Sequence, residues 1–439
     1  MARMSESREI YKTLDLALRI GEILLSSGAG AADVTATMMS VTHHFGIRNA
    51  DIDVTFTSLR MAHSGTDEDL PIVLTRNVLQ RDIDYDDLTR THQLVLDILS
   101  GDITRDEARS KVARISSTGH WAPRWAVVIG SGVIGGGVAL ILGGTPIVCA
   151  VAIVAGMGID LLNRALAKRR WPMFYSQAAG GLYATLLAVG LAATPVKADI
   201  SAVITASIIL LLAGIGFMGA VQDALSGFYV TAGARILEAM MATAGLIAGV
   251  SAGLAIAPVL GVELGIVQSV TVGLAEAPQV MIGAVIAATA FAFTCYAPWP
   301  ALPAVAVSTL LGHLVFTAIR APGLGLPWAA AWAAITIGLV SYTIAGRVGV
   351  PPLVVVVPAI VPMLPGLAIY RGLSAFAEQD AVGVVYLTTA AATTIALAAG
   401  VIAGEYIAQP LKRNVRRLET RLAGPRLVGV LHGHTRKSR

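Results

Sequence analysis

Charge is what this sequence has least of. Only 14% of its 439 residues are Asp, Glu, Lys or Arg, against about a quarter in a soluble domain, so water cannot be the solvent of the whole chain. The acidic residues are also unevenly spread, with 18 of the 28 before Trp121 and 10 in the longer remainder. Cysteine is limited to Cys149 and Cys295; both stand in apolar stretches, which points to small packing residues rather than a disulfide. The first 30 residues lack the uninterrupted apolar core of a secretory signal, which predicts a cytoplasmic N-terminus. Neither a Walker phosphate loop nor a dinucleotide fingerprint or nucleophile elbow in its strand-to-helix setting occurs, which argues against ATP-driven transport within the chain and predicts no cofactor. A net charge of +4 is too mild for a nucleic-acid partner.

What the sequence has in quantity is apolar and small residues: 55% hydrophobic, with 45 glycines. Small residues let membrane helices approach closely. The fold class expected is an α-helical polytopic membrane protein, with about ten transmembrane helices behind a small cytoplasmic α/β domain. In residues 1–120 the apolar face of Leu14, Leu18, Gly21 and Leu25 predicts a helix over 10–25 ended by Ser26, Ser27 and Gly28. A second helix is expected over 32–45. A strand is expected over 51–62, with 71–78 available to pair with it, and a helix over 88–99. Thr104 and Glu107 form a capping-box pattern. After Trp121, windows near the ~20 residues that a bilayer core requires fall at 125–142, 146–162, 178–193, 200–220, 236–258, 280–299, 301–319, 326–345, 352–370 and 381–405.

Parity from a cytoplasmic N-terminus puts residues 164–170 and the basic tail from Lys412 inside, where the positive-inside rule expects them, and 194–199 and 320–325 outside. The spans divide into two groups of five, residues 121–260 and 261–410, followed by a basic cytoplasmic tail, 411–439. An odd repeat inverts, so related halves would lie upside down relative to each other with a substrate path between them near the midplane. One local correspondence supports this: Ala213-Gly214 ends the fourth span as Pro365-Gly366 ends the ninth.

Candidate functional residues follow from cost. Pro358, Pro362 and Pro365 remove three backbone donors from the ninth span, so that helix is expected to be kinked or unwound beside protein or a wet cavity. Ionisable groups within spans are expensive. Asp223, Arg235 and Glu238 are therefore the first choice, with residues 224–234 read as a loop or re-entrant turn and Arg235 and Glu238 near enough in sequence to pair. His313 in the seventh span could relay protons or simply pack. His43, His44, His63 and the run Asp67-Glu68-Asp69 fit no metal-ligand spacing, and no metal is expected.

The chain resembles the bacterial threonine/serine exporter family along nearly its whole length. The family's G-E-x-L-L-x-x-G-A pattern is met by Gly21, Glu22, Leu24, Leu25, Gly28 and Ala29. Its first-half stretch is met by Gly214, Ala220, Val221, Asp223, Gly227, Arg235, Glu238 and Ala239, with Ala213 in place of the family's proline. The second-half pattern is met by Pro358, Pro362, Leu364, Pro365, Gly366, Tyr370, Arg371 and Gly372. The resemblance implies a secondary transporter of the bacterial plasma membrane that exports L-threonine and L-serine by proton antiport. Its partners would be the amino acid, protons and the lipid bilayer, with self-association left open. Asp223 with Glu238 would be the protonatable element, and Gly214, Pro362, Pro365 and Gly366 would line the path. Two alternatives stay open from sequence: export of small dicarboxylates, which needs cations such as Arg235 and Arg371, and a membrane-anchored enzyme or sensor working through the N-terminal domain.

Overall fold

A computed structural model describes residues 2–64, 71–78, 81–195, 200–260, 277–377 and 380–411. The N-terminal segment contains α1 (Ala2–Ser26), α2 (Ala31–His44), β1 (Ala50–Val54), β2 (Ser58–His63), β3 (Ile72–Asn77), α3 (Tyr85–Ser100) and α4 (Arg105–Ile115). The apolar stripe of α1 is buried at Leu14, Leu18 and Leu25, facing Met38 of α2 and Leu59 and Met61 of β2. Asp84 accepts from the N–H groups of Asp86 and Asp87 and so starts α3, while Thr104 and Glu107 close the capping box of α4. The single strand expected over 51–62 is instead a hairpin. Residues 55–57 turn the chain, so that Ile52 pairs with Met61, and β3 adds antiparallel to β2. Thr55 makes the turn with its own hydroxyl, 2.8 Å from that of Ser58.

The remainder is helical: α5 (Arg124–Ile141), α6 (Pro146–Lys168), α7 (Met173–Ala192), α8 (Ile200–Ile208), α9 (Gly214–Leu225), α10 (Tyr229–Ile256), α11 (Ala277–Thr294), α12 (Ala301–Arg320), α13 (Leu326–Val348), α14 (Leu353–Ile360), α15 (Gly366–Ala377) and α16 (Val382–Leu411). Seven of these, α5, α6, α10, α11, α12, α13 and α16, are long and apolar enough to cross a membrane. Two more spans follow if each of the bent pairs, α8 with α9 and α14 with α15, counts as one. Thus the described residues hold up to nine such spans rather than the ten expected. The difference is α7, whose first turns carry Tyr175, Ser176 and Gln177. Large apolar side chains such as Trp125, Val230, Leu237 and Val385 stand exposed on the outside of the helices. A soluble monomer does not tolerate so much exposed apolar surface, and lipid covers it at no cost. The protein is a multi-pass membrane protein.

The helices pack in a pattern that recurs. α5 lies on α6 and α6 on α7, as α11 lies on α12 and α12 on α13; α7 lies on α10 as α13 lies on α16; α9 touches α10 and α16 as α15 touches α16 and α10. The closest approaches recur as well. A Cβ on Gly249 of α10 would sit 2.0 Å from the carbonyl oxygen of Ala178 on α7, and one on Gly404 of α16 would sit 2.3 Å from that of Ile335 on α13. These glycines let two backbones touch, and dispersion and packing hold such pairs together where no hydrophobic effect operates.

Both bent pairs break in the same way. A 3₁₀ turn at Ile209–Leu211 leads to Leu212 in an extended conformation (φ −71°, ψ 131°), and one at Val361–Met363 leads to Leu364 (φ −63°, ψ 135°). The bends are 46° and 48°. Span four is therefore broken although Ala213 replaces the proline.

Candidate functional site

The two breaks press against each other. A Cβ on Gly214 would lie 3.0 Å from Leu364 Cβ, and one on Gly366 would lie 2.9 Å from Leu212 Cβ. Each glycine thus takes the leucine of the opposite break. Pro362 sits in the 3₁₀ turn before the second break and Pro365 at the break itself.

Near the far end of α9, almost three turns beyond the first break, stands Asp223, which is 2% exposed. The segment expected to be a loop over 224–234 is mostly helix. Only Ser226–Phe228 separate α9 from α10, and Gly227 makes that turn at φ +89°. A hydropathy window starts at Ile236 because Arg235 and Glu238 dilute it, yet the backbone is already helical from Tyr229. The short turn folds α10 back beside α9, so that Arg235 Nε lies 3.0 Å from Asp223 Oδ2. This is an ion pair rather than a hydrogen bond, since the N–H does not point along the contact.

The other oxygen of Asp223 reaches into the N-terminal segment. Ala31, at the first turn of α2, donates its N–H to Asp223 Oδ1 at 3.0 Å, and Arg235 Nη2 donates to the carbonyl of Ala29 at 3.4 Å. The connection from α1 to α2 makes this approach feasible. Gly28 turns it at φ +100°, a conformation that disfavours any side chain, and a Cβ on Gly30 would stand 3.6 Å from Asp223 Oδ1. The positive end of the α2 dipole is therefore set on the carboxylate. Around these groups lies a cavity of ≈ 60 Å³ whose lining includes Gly30, Asp33, Met218, Gln222, Val357 and Leu364, enough for a few waters.

Glu238 does not pair with Arg235, as their spacing allowed. It meets Arg81 of the N-terminal segment at 2.9 Å, and the Arg81 guanidinium lies 3.2 Å above the Phe56 ring. Thr231 adds a hydrogen bond to the carbonyl of Val54. Burial lowers the pKa of Arg81; Glu238 opposes that shift and Arg235 adds to it.

The remaining candidates are placed elsewhere. His313 is buried on α12 with Nδ1 3.3 Å from the carbonyl of Thr309, and it does not line the cavity. Gly21 serves contact between α1 and α2, because a Cβ there would meet Met38 Sδ at 2.5 Å. Glu22 binds Arg76, which also binds Asp15. Burial alone would raise the pKa of Asp15, but Arg19 and Arg76 outweigh it and hold the carboxyl low. Asp67-Glu68-Asp69 and the basic tail from Lys412 lie outside the described residues. Sequence reasoning missed Ala29, Ala31, Arg81 and Phe56 as neighbours of the site. The available signal was Gly28-Ala29-Gly30-Ala31 itself, a run with almost no side chains that suits close backbone approach.

A family model described as "Putative threonine/serine exporter" matches residues 15–257, and a second, "Threonine/Serine exporter, ThrE", matches residues 280–407. The chain belongs to the threonine/serine exporter family. A protein of Mycobacterium tuberculosis named "Probable threonine/serine exporter" is 34% identical over 424 residues, covering 94% of this chain and 80% of that protein. A "Threonine/serine exporter" of Corynebacterium glutamicum is 32% identical over 428 residues, covering 94% and 86%. No solved structure matches this exporter family member.

Proposed function

We propose that this protein exports L-threonine and L-serine across the bacterial plasma membrane by exchanging them for protons, with the site at Asp223, Arg235 and the two helix breaks. The substrate class rests on the two relatives named as threonine/serine exporters. The observation that carries the site is the cavity that Leu364 of the second break shares with the buried Asp223–Arg235 pair. An amino-acid zwitterion needs an anion for its ammonium and a cation for its carboxylate. Asp223 and Arg235 supply one of each, and the break residues free backbone groups for the rest. A proton on Asp223 removes the charge that holds the ammonium, so proton and substrate exclude each other, and that exclusion couples their opposite flows.

The recurring helix contacts and the reciprocal fit of Gly214 on Leu364 and Gly366 on Leu212 support two related halves of five spans each, with α7 counted as a span. With an odd repeat the halves are inverted, and access alternates by exchange of their roles. The N-terminal segment lies on the cytoplasmic face in this reading, as an α/β domain of about 120 residues. Export of dicarboxylates fits less well, because the cavity presents the carboxylates of Asp33 and Asp223 with the single cation Arg235 among its lining side chains. Hydrolysis by the N-terminal segment has no support from Glu22, whose carboxylate is engaged by Arg76.

The test is gradient-driven threonine efflux from proteoliposomes at matched protein levels. Asp223→Asn keeps size and hydrogen bonding but can neither cycle a proton nor offer a charge to the ammonium, so uphill efflux should stop and exchange of labelled for unlabelled threonine should fall with it. Normal uphill efflux from the Asn variant, with a defect only in Asp223→Ala, would assign Asp223 to structure alone.

A further inference from the structure

The contact between the N-terminal segment and the site has the chemistry of a ligand. Ala31 offers an N–H at the positive end of a helix, and Asp223 accepts it through Oδ1. Ala29 offers a carbonyl oxygen, and Arg235 donates to it. One residue, Gly30, separates the two backbone groups. A positive donor on Asp223 and an acceptor on Arg235, held a short distance apart, are what an α-amino acid would present to the same pair. Around the segment, the cavity keeps room for a few waters.

We propose that residues 29–31 are a built-in competitor of the substrate: the backbone of Ala29–Ala31 occupies the ammonium and carboxylate positions of the Asp223–Arg235 pair, and an amino acid arriving from the same side displaces it. This rests on the reading of Asp223 and Arg235 as the substrate site. It assigns a purpose to the glycines of the motif. Gly28 bends the chain toward α9, and Gly30 carries no side chain to hold the backbone off the carboxylate. The Arg81–Glu238 pair and the Arg81–Phe56 contact tether the segment from outside the cavity, so a displaced α2 N-terminus stays close enough to return. Compounds with only one of the two charged groups replace half of the contact and leave the other half in place. The exporter therefore selects for zwitterions even before its side-chain pocket acts.

The competitor can be removed almost atom by atom. Ala31 stands at the first position of α2, where proline is tolerated, and Gly30 has φ −71° and ψ 152°, the extended conformation that a residue before proline prefers. Ala31→Pro thus deletes the N–H that binds Asp223 while the helix can persist. A hydrogen bond to a charged acceptor is worth enough that losing the competitor should lower half-saturation for threonine about tenfold. Arg81→Gln, which loosens the tether, should shift it in the same direction by less.

A second measurement uses the unaltered protein in nanodiscs. Saturating L-threonine should speed hydrogen exchange at the amides of residues 31–34, whereas ligands ordinarily slow exchange where they bind. 1-Amino-2-propanol and 3-hydroxybutyrate, each lacking one charged group, should not. Threonine flux accompanied by unchanged or slower exchange at 31–34 overturns the competitor alone, as does faster exchange with the amine alone. Absence of threonine and serine flux overturns the site reading together with it.

Discussion

Breaking the Asp223–Arg235 pair from either side should be costly, and breaking it from both sides should cost far less than the two losses added together. Removing one member of a buried ion pair strands the other charge and costs about 3–5 kcal/mol, whereas replacing both is often near neutral. The structure orders the two single losses. Asp223 has a side chain 2% exposed and Arg235 one 15% exposed, so a stranded carboxylate has less access to water than a stranded guanidinium. Arg235→Gln should therefore cost more, ~4 kcal/mol, than Asp223→Asn, ~3 kcal/mol, because the Asn can still accept from Ala31 N–H and Arg235 can still donate to Ala29. The double variant should lose about 3 kcal/mol less than the sum of the singles, which is the coupling a cycle reads out. Unfolding by SDS in mixed micelles, followed by tryptophan fluorescence, provides the four stabilities. Additive losses, or a larger loss in Asp223→Asn, would refute the reasoning.

Three further outcomes are expected. Gly249→Ala and Gly404→Ala should each destabilise by roughly 1–3 kcal/mol through overpacking, because their Cβ atoms would fall 2.0 and 2.3 Å from a neighbouring carbonyl oxygen; Gly190→Ala, whose Cβ meets nothing within 4 Å, should be neutral or stabilising in the same SDS titrations. Burial pushes Asp87 up to about 6, with Asp84 adding repulsion against the relief from His120. The folded protein then holds a proton between about pH 4 and 6 that the unfolded chain has released, so stability falls as pH rises through that window. Asp87→Asn should accordingly melt higher than the parent at pH 7.5, with the difference gone near pH 4. Reporter tags at both termini should read cytoplasm and one within residues 320–325 should read the outside; a C-terminus on the outer face would put the span count off by an odd number and remove the argument for inverted halves.

The break at Pro365 was legible because three prolines in eight residues leave a helix no alternative. Its counterpart at Leu212 was not, since Leu212, Ala213 and Gly214 carry no prohibition against helix; the extended backbone there is set by packing against Leu364 and Gly366, a contact invisible along the chain. The start of α10 was misplaced because hydropathy sees Arg235 and Glu238 as an interruption, whereas a backbone that buries its charges against Asp223 and Arg81 continues as helix. The hairpin in residues 50–63 was read as one strand because Thr55, Phe56 and Thr57 favour extended structure and include no turn residue. Asp223 and Arg235, singled out by the cost of intramembrane charge, meet in the structure, while Glu238 turns to Arg81. Their partners in the N-terminal segment were not legible, because Ala31 lies 192 positions away and contributes only its backbone, a group that every residue but proline possesses.

Two inverted halves, as proposed above, would carry a degeneracy: each end state is the other with the halves exchanged, so their energies match unless something outside the repeat distinguishes them. The N-terminal segment is such a thing. It binds α9 and α10 at Asp223, Arg235 and Glu238, and it meets the second half through different groups, with Tyr85 donating its N–H to the carbonyl of Cys295 and Gln93 donating to that of Gly349. Its docking weights one end state over the other, so a symmetric rocker acquires a resting position. On the proposed site and orientation, such a device idles closed when the cytoplasmic amino acid is scarce, and the threshold at which it starts is set by the affinity of its own backbone for Asp223.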